Sequence, residues 1–80
     1  MKVPRDLSSQ QLIKSLKKYG YIQTRQVGSH IRLTITMETK SEHITIPNHN
    51  PIKVGTLNNI LRQVSLHLKI SKDELMKELK

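Results

Sequence analysis

The sequence contains no cysteine, phenylalanine or tryptophan, and Tyr19 and Tyr21 are its only large aromatic residues. The lack of cysteine excludes disulfides, thiolate nucleophiles and cysteine-ligated zinc. No apolar run approaches the length of a membrane-spanning helix, and the charged, proline-containing start MKVPRDLS is unlike a secretory signal. We therefore expect a soluble, cytoplasmic protein.

Acidic residues are also scarce. Six Asp and Glu stand against 14 Lys and Arg, which gives a net charge of +8 and a pI near 10.1 over 80 residues. This balance favours a polyanionic partner such as nucleic acid, although the charge could simply keep a small protein soluble. Because few aromatic side chains are available for base stacking, contacts to the backbone and 2′-hydroxyls of RNA are favoured. The length predicts one domain, residues 1–80.

The pattern of apolar residues and turn signals predicts the element order αβββα plus a short α. Ser8 and Gln11 match a capping box at the start of the first helix, and Gly20 ends it. Gly28-Ser29 between residues 21–27 and 30–36 predicts a hairpin with a type II′ turn. A third strand covers residues 43–46 and ends at Pro47. Thr56 is the expected N-cap of the second helix, and Ser71 to Glu74 form a second capping box that opens the terminal helix.

Pairing across the first hairpin predicts which residues share a face of the sheet. The expected core face carries Ile22, Thr24, Ile31, Leu33 and Ile35, and the opposite face carries Arg25, His30, Arg32 and Thr34. Pairing Met37 with Glu42 would place Ile44 and Ile46 beside Ile35 and Leu33, and His43 and Thr45 on the polar face. The fold class is therefore α+β: a three-stranded antiparallel sheet with two helices on one face and a short C-terminal helix.

The polar face of the first hairpin carries the residues best suited to chemistry. His30 is the one hairpin residue that can transfer a proton near neutral pH. Arg25 and Arg32 are predicted to oppose each other, an unfavourable arrangement that a bound anion would offset. One base and two cations suffice for attack of an RNA 2′-hydroxyl on its own 3′-phosphate. The alternatives are a structural histidine and arginines that splay apart in water.

Two other types of site deserve the same test. The helix start near Gly55-Thr56, preceded by Lys53, could bind a phosphate, or Thr56 could simply cap the helix. His30, His43 and His49 could approach one another, but their spacing is not that of a metal site and no cysteine is present. We therefore expect neither a metal nor another cofactor. His67 is expected to be an ordinary surface residue.

Several short motifs together resemble the HicA toxins of type II toxin–antitoxin pairs. They are VPRDLS, Gly20-Tyr21, RQVGSH at residues 25–30, IPNH at residues 46–49 and KVGTLNNILRQ at residues 53–63. The resemblance implies a fold like double-stranded RNA-binding domains, a ribosome-independent mRNA endoribonuclease (an mRNA interferase), and a HicB antitoxin that covers the active site. It also implies that His30, in the GSH motif, is the catalytic residue.

The resemblance leaves some roles to the residues themselves. His49 matches a recurrent histidine of the family, and a longer third strand would place it opposite His30. We expect RNA contacts from Arg25, Ser29, Arg32, Lys53 and His49. Ile31-Arg32-Leu33 lacks the further histidine or aromatic residue of some relatives, which bears on cleavage preference. The chain could form a homo-oligomer or a toxin–antitoxin hetero-oligomer. The alternative functions are a non-catalytic RNA-binding module and an interaction protein.

Overall fold

A computed structural model of the protein describes residues 6–78. The order of elements is α1 (Ser9–Lys17), β1 (Ile22–Val27), β2 (His30–Met37), β3 (Lys40–Pro47), α2 (Val54–Leu68) and α3 (Lys72–Glu78). The strands form one antiparallel sheet in the order β1-β2-β3. This confirms the predicted α+β class and the predicted order of elements.

Local signals position α1 as the sequence predicts. The Ser8 hydroxyl accepts a hydrogen bond from the Gln11 amide, and the Gln11 side chain accepts one from the Ser8 amide, which completes the capping box. The helix ends at Lys17, and Gly20 then takes a φ of +111°, a region that glycine enters without a Cβ clash. The reversal directs Tyr21 into the core, where it is 1% exposed.

The core lies between one face of the sheet and the three helices. It is built almost entirely from aliphatic side chains, with Tyr21 as the largest buried residue. The sheet and α1 contribute Leu12, Ile13, Leu16, Ile31, Leu33, Ile35, Ile44 and Ile46, and α2 and α3 contribute Leu57, Ile60, Leu61, Val64, Leu75 and Met76. The opposite sheet face is left open, as expected for an antiparallel sheet covered on one side.

A β-bulge in β1 overturns part of the predicted core. The pairs Arg25–Arg32 and Val27–His30 follow the prediction, but the register shifts between Gln23 and Arg25. Ile22 therefore opposes Thr34 and not Ile35. It lies on the open face, where it is 62% exposed. Thr24 is exposed as well. The single extra residue reverses the faces of all residues that precede it, and Tyr21 takes the core position expected for Ile22.

The register of β2 with β3 also differs from the prediction, by two residues. Met37 pairs with Lys40 and not with Glu42, because a tight turn at Glu38-Thr39 joins the strands. Ile44 and Ile46 consequently oppose Leu33 and Ile31. A shift of two residues preserves the face of every side chain, so the predicted assignment of His43 and Thr45 to the polar face is correct.

The second helix begins earlier than predicted. Its N-cap is Lys53 rather than Thr56, and no side chain caps it. The buried Ile52 donates its amide to the Leu7 carbonyl at 2.9 Å, which anchors the chain just before the helix and lets it start at Val54. In α3, the Ser71 hydroxyl accepts from the Glu74 amide at 3.2 Å. Within residues 6–78, no helix combines the length and apolar character needed to cross a bilayer.

Candidate active site

A hollow of about 170 Å³ lies on the open face of the sheet, at the end where the β1–β2 hairpin turns. Arg25, Val27, His30, Arg32 and Thr45 line it. Three adjacent strands supply these residues: Val27 opposes His30, and Arg32 lies between Arg25 and Thr45. Side chains that alternate along each strand thus converge on one spot, as the hairpin prediction required.

The two arginines of this hollow have no neutralising partner among the described residues. Arg25, His30 and Arg32 are all exposed. Within residues 6–78, none of the three side chains makes a hydrogen bond or an ion pair, and no acidic residue lines the hollow. Two guanidinium groups on directly opposed residues repel each other. An anion placed between them would remove this repulsion, and arginine is well suited to bind a phosphate through paired N–H donors.

The tight turn before β2 fixes the position of His30. Gly28 has a φ of +59° and Ser29 does not have a positive φ, the combination that a type II′ turn needs. The Ser29 carbonyl accepts a hydrogen bond from the Asn48 amide at 2.6 Å, which ties the turn to the end of β3. The imidazole therefore projects from a backbone held on both sides while its ring stays accessible to solvent.

The other predicted contact residues, Ser29, His49 and Lys53, do not line this hollow. Ser29 is exposed in the turn directly before His30. His49 does not oppose His30, because Pro47 occupies that position and the His49 amide bonds back to the Pro47 carbonyl at 2.9 Å. The hypothesis that a longer β3 would pair the two histidines is therefore wrong. Lys53 is exposed at the N-terminus of α2.

A hydrogen-bonded row further along the open face was not predicted. The Thr34 hydroxyl lies 2.8 Å from the Thr24 hydroxyl and 2.8 Å from Nδ1 of His43. The bulge in β1 makes the row possible, because it brings Thr24 to the face of Thr34. Thr34 pairs with His43 two positions beyond the Arg32–Thr45 pair and four beyond the His30–Pro47 pair. His43 is thus held away from His30, by roughly 13 Å along the strands.

A second polar cluster lies at the other end of the molecule. The Tyr21 hydroxyl is 2.8 Å from Nδ1 of His67, and Nε2 of His67 is 3.4 Å from a Glu42 carboxylate oxygen. Burial, together with the nearby Glu42 charge, raises the pKa of Tyr21 to about 12. His67 is therefore not the ordinary surface residue expected, since its side chain is only 14% exposed. Sequence gave no sign of this contact, which joins residues 46 positions apart.

Within residues 6–78, no three His, Cys, Asp or Glu side chains lie close enough together to hold a metal ion. The hollow does combine one side chain that can transfer a proton with two cations that can bind a phosphate, on two adjacent strands. Those are the groups needed to deprotonate a hydroxyl next to a bound phosphodiester and to stabilise negative charge that develops on the phosphate.

The family model described as the HicA toxin of bacterial toxin–antitoxin matches residues 9–66, which include the whole sheet, α1 and most of α2. No curated protein and no solved structure matches the chain significantly.

Proposed function

Because the chain belongs to the HicA toxin family, we propose that it cuts mRNA without a metal ion and that His30 transfers the proton. Family membership implies a toxin of a toxin–antitoxin pair, with ribonuclease activity, an RNA substrate and a HicB-type antitoxin partner. The hollow around His30, with its two unneutralised arginines, is the observation that supports this proposal for the individual residues.

The chemistry proceeds through the RNA's own nucleophile. His30, as the neutral imidazole, accepts the proton of a ribose 2′-hydroxyl, and the 2′-oxygen attacks the adjacent phosphorus. The P–O bond to the next nucleoside breaks, and that 5′-oxygen takes up a proton from solvent water as it leaves. His30 then releases the proton that it accepted to solvent. The products are a 2′,3′-cyclic phosphate and a 5′-hydroxyl. Arg25 and Arg32 bind the non-bridging oxygens, where negative charge increases in the transition state.

The remaining predicted contacts bind the RNA on either side of the reacting phosphate. Ser29, next to His30, offers a hydroxyl to the ribose or phosphate. His49 and Lys53 both lie in the segment that joins β3 to α2. They contact the phosphates next to the reacting one. Each of these contacts is to the backbone, which suits a chain with only two large aromatic residues for stacking on bases.

The test is RNA cleavage by the purified protein in EDTA. The wild-type chain should cut single-stranded RNA and leave 2′,3′-cyclic phosphate ends, and an RNA with 2′-deoxyribose at the cut site should stay intact there. His30→Ala should lower the cleavage rate by roughly a hundredfold or more, the usual contribution of a general base. Retention of activity by His30→Ala would exclude His30 from the mechanism, and loss of all cleavage in EDTA would exclude a metal-free reaction.

His43→Ala is the matched control. It also removes an exposed histidine from the open face, but four strand positions from His30. We expect it to cleave at nearly the wild-type rate. RNA that the wild-type chain shifts in a gel but never cuts would instead support the alternative, a non-catalytic RNA-binding module. The affinity of such a module should fall steeply with salt.

A further inference from the structure

A second basic groove lies on the other side of β1, between this edge strand and α1. It has a volume of about 390 Å³, and its polar lining consists of Gln10, Lys14, Lys17, Gln23, Gln26 and Asn48. No acidic side chain lines it. The sequence has no Asp or Glu between Asp6 and Glu38, so α1, β1 and β2 carry basic residues but no acidic ones.

Several polar side chains of this groove have N–H donors that are available to a ligand. Within residues 6–78, the side chains of Lys14 and Lys17 make neither a hydrogen bond nor an ion pair. Asn48 accepts two hydrogen bonds at its Oδ1, from the Ser9 hydroxyl at 2.8 Å and from Nε2 of Gln10 at 3.1 Å. These bonds fix the orientation of the Asn48 amide and leave its Nδ2 group as an available donor. Two ammonium groups and several amides suit phosphates together with the polar edges of bases.

The groove and the candidate active site lie on the two sides of β1. β1 is the wall between them: Arg25 and Val27 line the His30 hollow, while Gln23 and Gln26 line the groove. β1 is also an edge strand, so a bound chain can pass over it from one face to the other. Asn48 links the two sites directly. Its backbone amide donates a hydrogen bond to the Ser29 carbonyl in the turn before His30, and its side chain lies in the groove.

We propose that this groove binds the single-stranded RNA that flanks the phosphate at His30. The inference rests on the proposed function for the identity of the ligand. Lys14 and Lys17 contact phosphates, and the amides of Gln23, Gln26 and Asn48 hydrogen bond to riboses or base edges. The RNA thereby wraps around the edge of the sheet, and α1 contributes to substrate binding although it lies on the covered face of the sheet.

The experiment measures RNA binding in a His30→Ala background, so that the substrate stays intact. Lys14→Ala with Lys17→Ala should weaken binding of an RNA of about ten nucleotides by roughly tenfold at 0.1 M salt. The slope of log affinity against log salt should decrease by about 1.4, the value for two lost contacts to a single strand. An RNA of about three nucleotides, too short to reach from the hollow into the groove, should lose much less affinity.

Two controls separate the groove from general charge. Lys40→Ala with Lys77→Ala removes the same charge from exposed lysines that line neither the hollow nor the groove. This variant should bind RNA within about twofold of the affinity of the His30→Ala background. Lys14→Arg with Lys17→Arg keeps the charge and should retain binding. Circular dichroism establishes that each variant is folded. The proposal would be overturned if the groove and control alanine variants bound RNA with equal affinity. It would also be overturned if the groove variant lost binding of the antitoxin but still bound RNA as tightly as the protein with the unaltered groove.

The outcomes also distinguish this inference from the proposed function. If the wild-type chain cuts RNA and the groove variant binds as tightly as the control, the groove proposal fails while the active site stands. If the wild-type chain never cuts RNA but the groove variant loses affinity, the groove is an RNA-binding site and the catalytic proposal fails.

Discussion

Tyr21 shows how one side chain can belong both to the core and to a polar cluster. Its ring is among the largest fully buried groups, yet its hydroxyl meets His67, which in turn meets Glu42. A buried hydroxyl without a partner would cost roughly 1–3 kcal/mol, so the His67 ring offsets the cost of burying a phenol. The contact also joins the residue before β1 to β3 and α2, at the end of the molecule opposite the candidate active site.

The raised pKa of Tyr21 predicts a loss of stability at high pH. Its pKa is about 12 in the folded protein and about 10 in the unfolded chain. The neutral phenol is therefore favoured by folding, and its contribution is complete below pH 10 and lost as the pH rises from about 10 to 12. The free energy of unfolding, measured with urea across this range, should fall.

Tyr21→Phe supplies the comparison. This variant keeps the ring in the core but cannot ionise, so its free energy of unfolding should fall less over the same pH range. The variant should be less stable than the wild type at neutral pH, by about 1 kcal/mol, because His67 loses its hydrogen-bond partner. Parallel pH profiles for the two proteins would show that Tyr21 does not titrate as its burial indicates.

At the scale of single elements, the end of α2 carries backbone strain. Lys69, the C-cap, lies in the left-handed region with φ 56° and ψ 40°, and its amide bonds to the Ser65 carbonyl. Glycine is the residue that most often occupies such a position, because a Cβ atom there meets the following carbonyl. The positive charge of the lysine, which lies near the helix C-terminus, offsets a small part of the cost of this strain.

Lys69→Gly should therefore stabilise the protein. We expect the free energy of unfolding to rise by about 0.5–1 kcal/mol, since relief of the strain exceeds the loss of the charge and of chain stiffness. Lys69→Ala keeps the Cβ atom and removes the same charge, so it should give no increase. Urea denaturation of the two variants measures the difference, and an alanine variant as stable as the glycine variant would contradict the strain.

The elements also show which features can be predicted from sequence. The capping box at Ser8 and the turn at Gly28 depend on residues a few positions apart, and both formed as predicted. The opposition of Arg25 and Arg32 followed from that turn. The bulge before Arg25, in contrast, accompanies the burial of Tyr21 beneath the sheet, and the start of α2 follows the bond from Ile52 to Leu7, which joins distant segments. Contacts between distant segments leave no local pattern.

At the scale of the whole molecule, the charges are unevenly distributed. Lys14, Lys17, Arg25 and Arg32 lie around β1 and have no acidic partner within residues 6–78, while Glu38 and Glu42 lie at the far end of β2 and β3. The hollow and the groove thus share one positive field, which favours the RNA binding proposed for both and would speed association. The same field is a cost when no RNA is bound, because like charges on a small protein repel each other.

Added salt should therefore stabilise the free protein. The Debye length is about 30 Å at 0.01 M salt and about 10 Å at 0.1 M. The longest dimensions of the described residues are 35 and 31 Å, so at low salt nearly all the excess positive charges interact with one another. We expect the melting temperature to rise by a few degrees between these salt concentrations, since relief of about 1 kcal/mol shifts it by 4–8 °C in a domain of this size.

Lys14→Gln with Lys17→Gln tests whether repulsion around β1 causes this salt dependence. Removing two of the clustered charges lowers the repulsion at all salt concentrations, so the melting temperature of this variant should rise less between 0.01 M and 0.1 M. Lys40→Gln with Lys77→Gln removes charges outside the cluster and should retain more of the wild-type salt dependence. If salt lowers the wild-type melting temperature, the attractive pairs outweigh the repulsion. RNA binding would then stabilise the protein only through the contacts it makes, and not also by relieving repulsion between clustered positive charges.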